Sequence, residues 1–307
     1  MLRPLPQRAA RALAVLPLLL AIFWGGCASS EVPASPTTES DGEGVLGQWV
    51  SAGGYRRTYT LHLPPDYDDS REYPLIIMFH GAGGSHEQAH NVGLAQAAIA
   101  GGFILAAPDG IGGDWAFHCG GCTEADRIGV DDVAFVDVLV RQLSEGLSID
   151  RDGVFVAGVS DGGAFTHEVA CAYPVAGAAV VAGTMFNANT CQPPTRVPFL
   201  GFHGTADGIV SFSYGAASAR QWAALNGCTS GPDEAILPDV DSDDGTTVVR
   251  YDYSGCPEHA DVTFFAVLGG GHNWPGIQAW SGRGLNTQDI KASEEIVRFF
   301  SEHRRQE

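Results

Sequence analysis

Between residues 73 and 81 the chain reads YPLIIMFHG, an unbroken apolar run that ends in glycine. A strand exposed on one face alternates apolar and polar positions, so a continuous run predicts a strand covered on both faces. FILAAPDG (103–110), GVFVAG (153–158), GAAVVAGT (177–184) and VPFLGFHG (197–204) repeat the pattern. RRTYTLHLP (56–64) alternates, which predicts an edge-type strand, and two late strands fall in TVVRYDYS (247–254) and DVTFFAVLGG (261–270). Helical segments separate them at 86–102, 130–147, 165–173, 215–227 and about 288–301. Within 130–147 the apolar positions Val133, Phe135, Val138, Leu139 and Leu143 recur at helical spacing. Strands alternating with helices predict an α/β fold: a three-layer sandwich with a mostly parallel central sheet and right-handed crossovers. In such sheets the ligand crevice lies at the carboxyl ends of the strands.

The first 44 residues break this pattern. Arg3, Arg8 and Arg11 precede LAVLPLLLAIFW (13–24). That apolar run is shorter than the about 20 residues a membrane span needs, and it suits the core of a signal peptide. Small residues lead into Cys27, and this junction resembles the lipobox of bacterial lipoproteins, whose cysteine is lipidated and becomes the mature N-terminus. An ordinary secretory signal cut a few residues later is the alternative. Acylation at Cys27 would tether the protein to a membrane without spanning it. ASSEVPASPTTESDGEG (28–44) has almost nothing to bury and predicts a disordered tether. The expected organisation is a signal peptide over 1–26, a tether over 27–44 and one large domain over 45–307.

Charge narrows the partners. Seventeen Lys and Arg stand against 36 Asp and Glu, a net charge of −19, and loss of residues 1–26 with their three arginines deepens it to −22. That argues against nucleic acid and other polyanions. Besides Cys27 there are six cysteines, an even set that predicts disulfides in an exported chain. HCGGC (118–122) has no second C-x2-C or nearby histidine pair to complete four zinc ligands, so no metal is expected. DVDSDDG (239–245) has Asp244 where a calcium loop needs glycine and Arg250 where it needs glutamate, which leaves an acidic surface turn.

GVSDGG (158–163) is the segment that bears chemistry. With 40 glycines in 307 residues the G-x-S-x-G match is cheap; a chain of this composition produces it by chance roughly 0.3 times. Its context is more telling. Ser160 stands at the carboxyl end of a predicted buried strand and the start of a predicted helix, where a nucleophile elbow needs small neighbours two residues to either side. A hydroxyl attacks at neutral pH only when a base takes its proton and a third group orients the base. In this architecture the acid and the base follow the serine in that order, on loops after later strands. FHGTADGIV supplies Asp207 and LGGGHNWPG supplies His272. His80 ends a strand and reads as structural under a loop, His203 reads as buried at its strand end, His118 lies in a loop, and His259 falls at the far face. Asp161 is too close to the serine to hold the histidine, and Asp109 follows an earlier strand. Two donors must face the developing oxyanion; the backbone N–H groups of Asp161 and of Ala82, in HGAGGS (80–85), are the candidates. Trp115 and Trp274 follow strands on the same face and are candidates to stack on a sugar or phenolic ring.

FHGAGGS, PDG followed by a tryptophan, GVDDVAFVDVL, GVSDGG, FHGTADGIV and GGGHNWPG together resemble the secreted polyhydroxybutyrate depolymerase and feruloyl esterase group, relatives of the family-one carbohydrate esterases. The resemblance implies an α/β-hydrolase with a Ser-Asp-His triad at Ser160, Asp207 and His272, hydrolysing esters without a metal or organic cofactor. The polymer depolymerases often carry cysteine where this chain has Ala82, and no separate polymer-binding domain is recognised. The expectation is an exported, lipid-anchored serine esterase for feruloyl or acetyl esters of plant polysaccharide. Hydroxyalkanoate esters are the alternative substrate, and a non-catalytic surface lipoprotein on the same scaffold is the rival from another class.

Strand direction then restricts the disulfides. A helix that starts at the catalytic face after Ser160 carries Cys171 to the opposite face, and Cys191 lies late in the crossing that returns there. Cys228 follows one helix and Cys256 precedes the next far-face strand start, while Cys119 and Cys122 remain as a local pair. The expected links are 171–191, 228–256 and 119–122.

Overall fold

The computed structural model describes residues 45–304; the leader, the tether and Cys27 lie outside them. Ten strands appear in chain order as β1 (Val45–Ala52), β2 (Tyr55–His62), β3 (Tyr73–Phe79), β4 (Ile104–Pro108), β5 (Ile149–Val159), β6 (Gly177–Val181), β7 (Phe199–Gly204), β8 (Ser230–Ile236), β9 (Thr247–Ser254) and β10 (Val262–Leu268). The helices are α1 (Gln88–Asn91), α2 (Leu94–Ala100), α3 (Glu124–Ile128), α4 (Asp132–Gly146), α5 (Asp161–Ala172), α6 (Phe212–Asn226) and α7 (Ala292–Glu302). All ten strands join one sheet in the order β1-β2-β4-β3-β5-β6-β7-β10-β9-β8. The six from β4 to β10 in that order run parallel. The pairs at either edge are antiparallel.

The continuous apolar runs became the centre of this sheet. β3, β4, β6 and β7 are buried at every position. Strand alternation deals their side chains to two separate cores. Leu75, Ile77 and Phe79 pack with Phe135 of α4, Phe165 of α5 and Trp222 of α6. Ile76 and Met78 pack on the other face with Leu94 of α2 and with Ile296 and Phe300 of α7. The result is the three-layer α/β sandwich, with helices on both faces.

Departures from the sequence reading are local and have causes. The expected helix over 86–102 is two short helices, because Gly93 adopts a left-handed φ of 76° between them. β2 is not an edge strand: β1 pairs outside it. β1 is interrupted by Gly47 and Gln48, with a register shift between Val45 and Gln48, so its apolar positions show no clean period. β8 was also missed, since SGPDEAI is exposed at every position and is held by its ladder to β9. Disulfides join Cys119 to Cys122, Cys171 to Cys191 and Cys228 to Cys256. No helix among the described residues is long and apolar enough to cross a membrane.

Candidate active site

β5 runs through the middle of the sheet and delivers Ser160 at its carboxyl end. The serine has φ 56° and ψ −120°, a strained conformation for a residue with a side chain. Its N–H is bonded to the Val181 carbonyl at 3.0 Å and its own carbonyl accepts from Ala164 N–H at 2.9 Å, so strand and helix hold the turn from both sides. The flanking glycines are required by contact. A Cβ on Gly158 would run into the Gly162 carbonyl, and one on Gly162 would meet the carbonyl oxygens of Phe79 and His80. The motif therefore has a packing reason that chance would not supply.

Three loops bring the other groups to this point. After β10, His272 is held by its N–H on the Arg283 carbonyl at 2.7 Å. Asn273 fastens the same loop: its Nδ2 donates to the carbonyls of Arg283, Gly284 and Leu285, and its Oδ1 accepts from Trp280 N–H. His272 Nε2 lies 3.0 Å from Ser160 Oγ, and Nδ1 lies 2.7 Å from Asp207 Oδ2. After β7, Asp207 turns its side chain fully out of solvent. Its Oδ1 accepts from the N–H groups of Ile209 at 2.8 Å and Val210 at 2.9 Å. Burial pushes this carboxyl up, but hydrogen bonds from His203, His272, Ile209 and Val210 outweigh it and hold the group well below the usual carboxylate range. Asp207 is thus ionised and able to orient an imidazole.

The third loop follows β3. Gly81 N–H donates to Gln88 Oε1 at 2.7 Å, and Gly83 N–H to the Gly113 carbonyl at 2.9 Å. Among the described residues, the N–H groups of Ala82 and Asp161 donate to no protein acceptor. Gly81 packs directly on Ser160, where an added Cβ would sit 3.3 Å from the serine Cβ. Asp161 opens the twelve-residue α5, so its N–H lies at the positive end of a helix. Its own carboxyl is raised by burial and by Asp114, against the pull of His272. Donors unused by the fold, together with a hydroxyl, an imidazole and a carboxylate in series, are the groups that acyl transfer would require.

Residues 57–191 match the family described as esterase PHB depolymerase. Feruloyl esterase D of Neurospora crassa is 29% identical over 243 residues, which covers 74% of this chain and 78% of that protein. Probable feruloyl esterase C of Aspergillus clavatus is 30% identical over 229 residues, covering 71% of this chain and 77% of the relative. The chain belongs to the feruloyl esterase family. It is an esterase of the α/β-hydrolase type. Acetyl xylan esterase from Aspergillus awamori shares the fold, with a TM-score of 0.59 at 16% identity over 80% of this chain and 94% of that one.

Two expected substrate contacts of this esterase need correction. Trp115 and Trp274 have no exposed surface and cannot stack on a ligand. Trp115 lies parallel to Phe165 of α5 at 5.0 Å and donates Nε1–H to the His80 carbonyl at 2.9 Å, so it braces the loop carrying Ala82. Trp274 donates Nε1–H to Ser293 Oγ at 3.1 Å, and that hydroxyl donates on to the Val92 carbonyl, which anchors the His272 loop to α7. Large apolar side chains exposed on loops and first turns at the carboxyl ends of the strands instead include Phe186, Ile209, Tyr214 and Leu285. Phe186 rests on buried Phe117 at 5.2 Å.

Sequence reasoning did not find Gln88, Asn273 or the clamp in which Asp109 holds both the backbone and the ring of His86. Each acts on loop backbone, which leaves no pattern along the chain. Sulfur and carboxylate atoms of Cys119, Cys122 and Asp126 lie within 4.8 Å of one another. The disulfide joins both sulfurs, so they offer no thiolate to a metal. In the acidic segment at 239–245, Asp244 accepts Thr246 N–H on its own turn and Gln288 N–H from a loop distant in sequence.

Proposed function

We propose that the chain is an exported serine esterase whose triad is Ser160, His272 and Asp207, and that it removes feruloyl or acetyl groups from plant polysaccharide. Ser160 Oγ attacks the ester carbonyl carbon while His272 Nε2 takes its proton. Asp207 keeps the proton on Nδ1 and stabilises the imidazolium. The oxyanion accepts the N–H groups of Asp161 and Ala82. Collapse breaks the bond to the alkoxy oxygen, which leaves with the proton from Nε2. Water then attacks the acyl-enzyme with the same base, and the acid and the free serine are restored. The observation that carries this reading is the unbroken series from Ser160 Oγ to Nε2 at 3.0 Å and from Nδ1 to Asp207 at 2.7 Å, built on a strained turn. Phe186, Ile209 and Tyr214 offer the apolar surface an aromatic acyl group needs. The names of the curated relatives favour feruloyl esters. The match to the depolymerase family favours hydroxyalkanoate esters as a second reading. The signal-like leader and Cys27 support export with a lipid anchor.

A fluorophosphonate probe with peptide mapping tests the mechanism: the label is expected on Ser160. Ser160→Ala is expected to lose the label and about 10⁴- to 10⁶-fold in kcat while remaining folded. A folded Ser160→Ala protein with a tenth of wild-type activity overturns the triad. Turnover of matched feruloyl, acetyl and hydroxybutyrate esters ranks the substrates.

A further inference from the structure

Asp207 is flanked by two histidines, and only one of them reaches the serine. His203, the next-to-last residue of β7, has its side chain almost fully buried, with Nε2 3.2 Å from Asp207 Oδ2. The same nitrogen lies 2.9 Å from the Val210 carbonyl. A carbonyl only accepts, so Nε2 bears the hydrogen and points it toward Val210 and the carboxylate. The opposite edge of the ring, at Nδ1, packs on Gly215 of α6, where no Cβ would fit. The ring therefore has one orientation. Val210 is held at both ends: its N–H donates to Asp207 Oδ1 and its carbonyl accepts from His203. Oδ2, meanwhile, faces His272 Nδ1 at 2.7 Å and His203 Nε2 at 3.2 Å.

We infer that His203 is a positioning residue for the base: its N–H locks the 207–210 turn and draws on the same carboxylate oxygen that orients His272. The inference rests on the triad proposed above. A carboxylate with N–H groups on both oxygens has its charge partly answered before His272 is counted. Removing the His203 dipole leaves more of that charge for the imidazolium, so the base stays protonated to higher pH. The turn is also freed, so His272 is less often aligned with Ser160. Asp161 on α5 also acts electrostatically on His272 and is itself raised by Asp114. On the far side of the His203 ring, α6 presents the Phe212 ring at 6.1 Å and Gly215, neither charged.

The test compares His203→Leu with His203→Gln, whose amide N–H can occupy the place of Nε2, in the full-length enzyme on a soluble aryl ester. His203→Leu is expected to move the acidic limb of kcat/KM upward by about half to one pH unit and to lower kcat about ten-fold with little change in KM. His203→Gln is expected to recover most of both losses. A folded His203→Leu enzyme with the wild-type limb and kcat overturns the inference. If His203→Leu does not fold, His203→Asn, whose amide is too short to reach, is expected to show the same shift, and an unmoved limb there overturns it equally. Failure of the wild-type enzyme to label at Ser160 overturns the triad itself. Labelling at Ser160 with an unmoved limb overturns the role of His203 alone.

Discussion

The same three residues, Phe-His-Gly, close two central strands: β3 ends at Phe79 and runs on into His80 and Gly81, and β7 ends with Phe202, His203 and Gly204. Both histidines are buried. Around His80 every hydrogen-bond partner is backbone or a bracing ring. Its Nδ1 donates to the Gly81 carbonyl at 2.8 Å, its Nε2 accepts Gly110 N–H at 2.9 Å, and Trp115 takes its carbonyl. His203 instead points its N–H at a carbonyl and a carboxylate. One ring shapes a loop that presents neutral donors, while the other shapes a loop that presents a charge. Identical strand ends therefore serve opposite electrostatic tasks, and what distinguishes them is the residue placed four positions on: Gly84 after His80, Asp207 after His203.

The largest expected effect tests whether the charged loop matters more than the donor loop. Asp207→Asn is expected to lower kcat about 10⁴-fold, because the amide can offer a donor where the imidazole N–H needs an acceptor. Ala82→Pro deletes one N–H from the other loop and is expected to lose about 10²- to 10³-fold in kcat. Steady-state kinetics on one ester suffices. A folded Ala82→Pro enzyme that outperforms Asp207→Asn by less than three-fold would break the comparison.

The two sides also differ in covalent bracing. Cys119–Cys122, separated by three positions, lies next to the segment whose Gly113 carbonyl holds Gly83. The chain between Ser160 and β7 is closed by Cys171–Cys191, with a separation of 20. Closing the longer loop removes more freedom from the unfolded chain, about 3 kcal/mol against about 1.5 kcal/mol in the chain-entropy account. Paired serine substitutions followed by urea unfolding should reproduce that order. Equal losses would mean that native strain or residual unfolded structure, rather than loop length, sets the contribution.

The same contrast explains what was legible in the sequence. Buried parallel strands write themselves as apolar runs, and Ser160, Asp207 and His272 sit at ends of such runs, in an order the fold imposes. Trp115 and Trp274 misled because position after a strand says which end of the sheet a residue occupies, not whether its ring turns inward. His203 was read as buried, yet its partner carboxylate comes within reach only through the turn at 207–210. β8 was invisible because no side chain in it is buried, and backbone pairing leaves no mark on composition.

The smallest effect separates the histidine that must stay neutral. Burial lowers the affinity of His80 for a proton, and His86 adds to it; the Gly81 carbonyl, Asp109 and Asp114 oppose it without prevailing. A protonated ring could no longer accept Gly110 N–H, so acid would loosen the donor loop. His62, lowered by burial and His90 to about 4, and His167, lowered by burial to about 3, behave alike. His167 Nδ1 accepts Trp222 Nε1–H at 3.0 Å and so must also remain bare. Each folded value lies below the ordinary histidine value of about 6.5, so the unfolded chain takes the proton first. Stability is therefore full above about pH 6.5 and falls as pH drops toward the folded values, by about 1.4 kcal/mol per unit for each histidine. Asp207 has the carboxylate sign: its contribution is present above about pH 3.9 and is lost only as pH falls below that, through its depressed folded value. His80→Gln, which cannot titrate, should leave the share of His62 and His167 and remove one proton from the slope. Urea unfolding of both proteins between pH 7 and pH 5.5 should then show the wild type losing more stability than His80→Gln, by at most about 1 kcal/mol. Parallel stability curves would mean that His80 takes up its proton as readily in the folded protein as in the unfolded chain, and that the bond from Gly110 N–H does not hold the ring neutral.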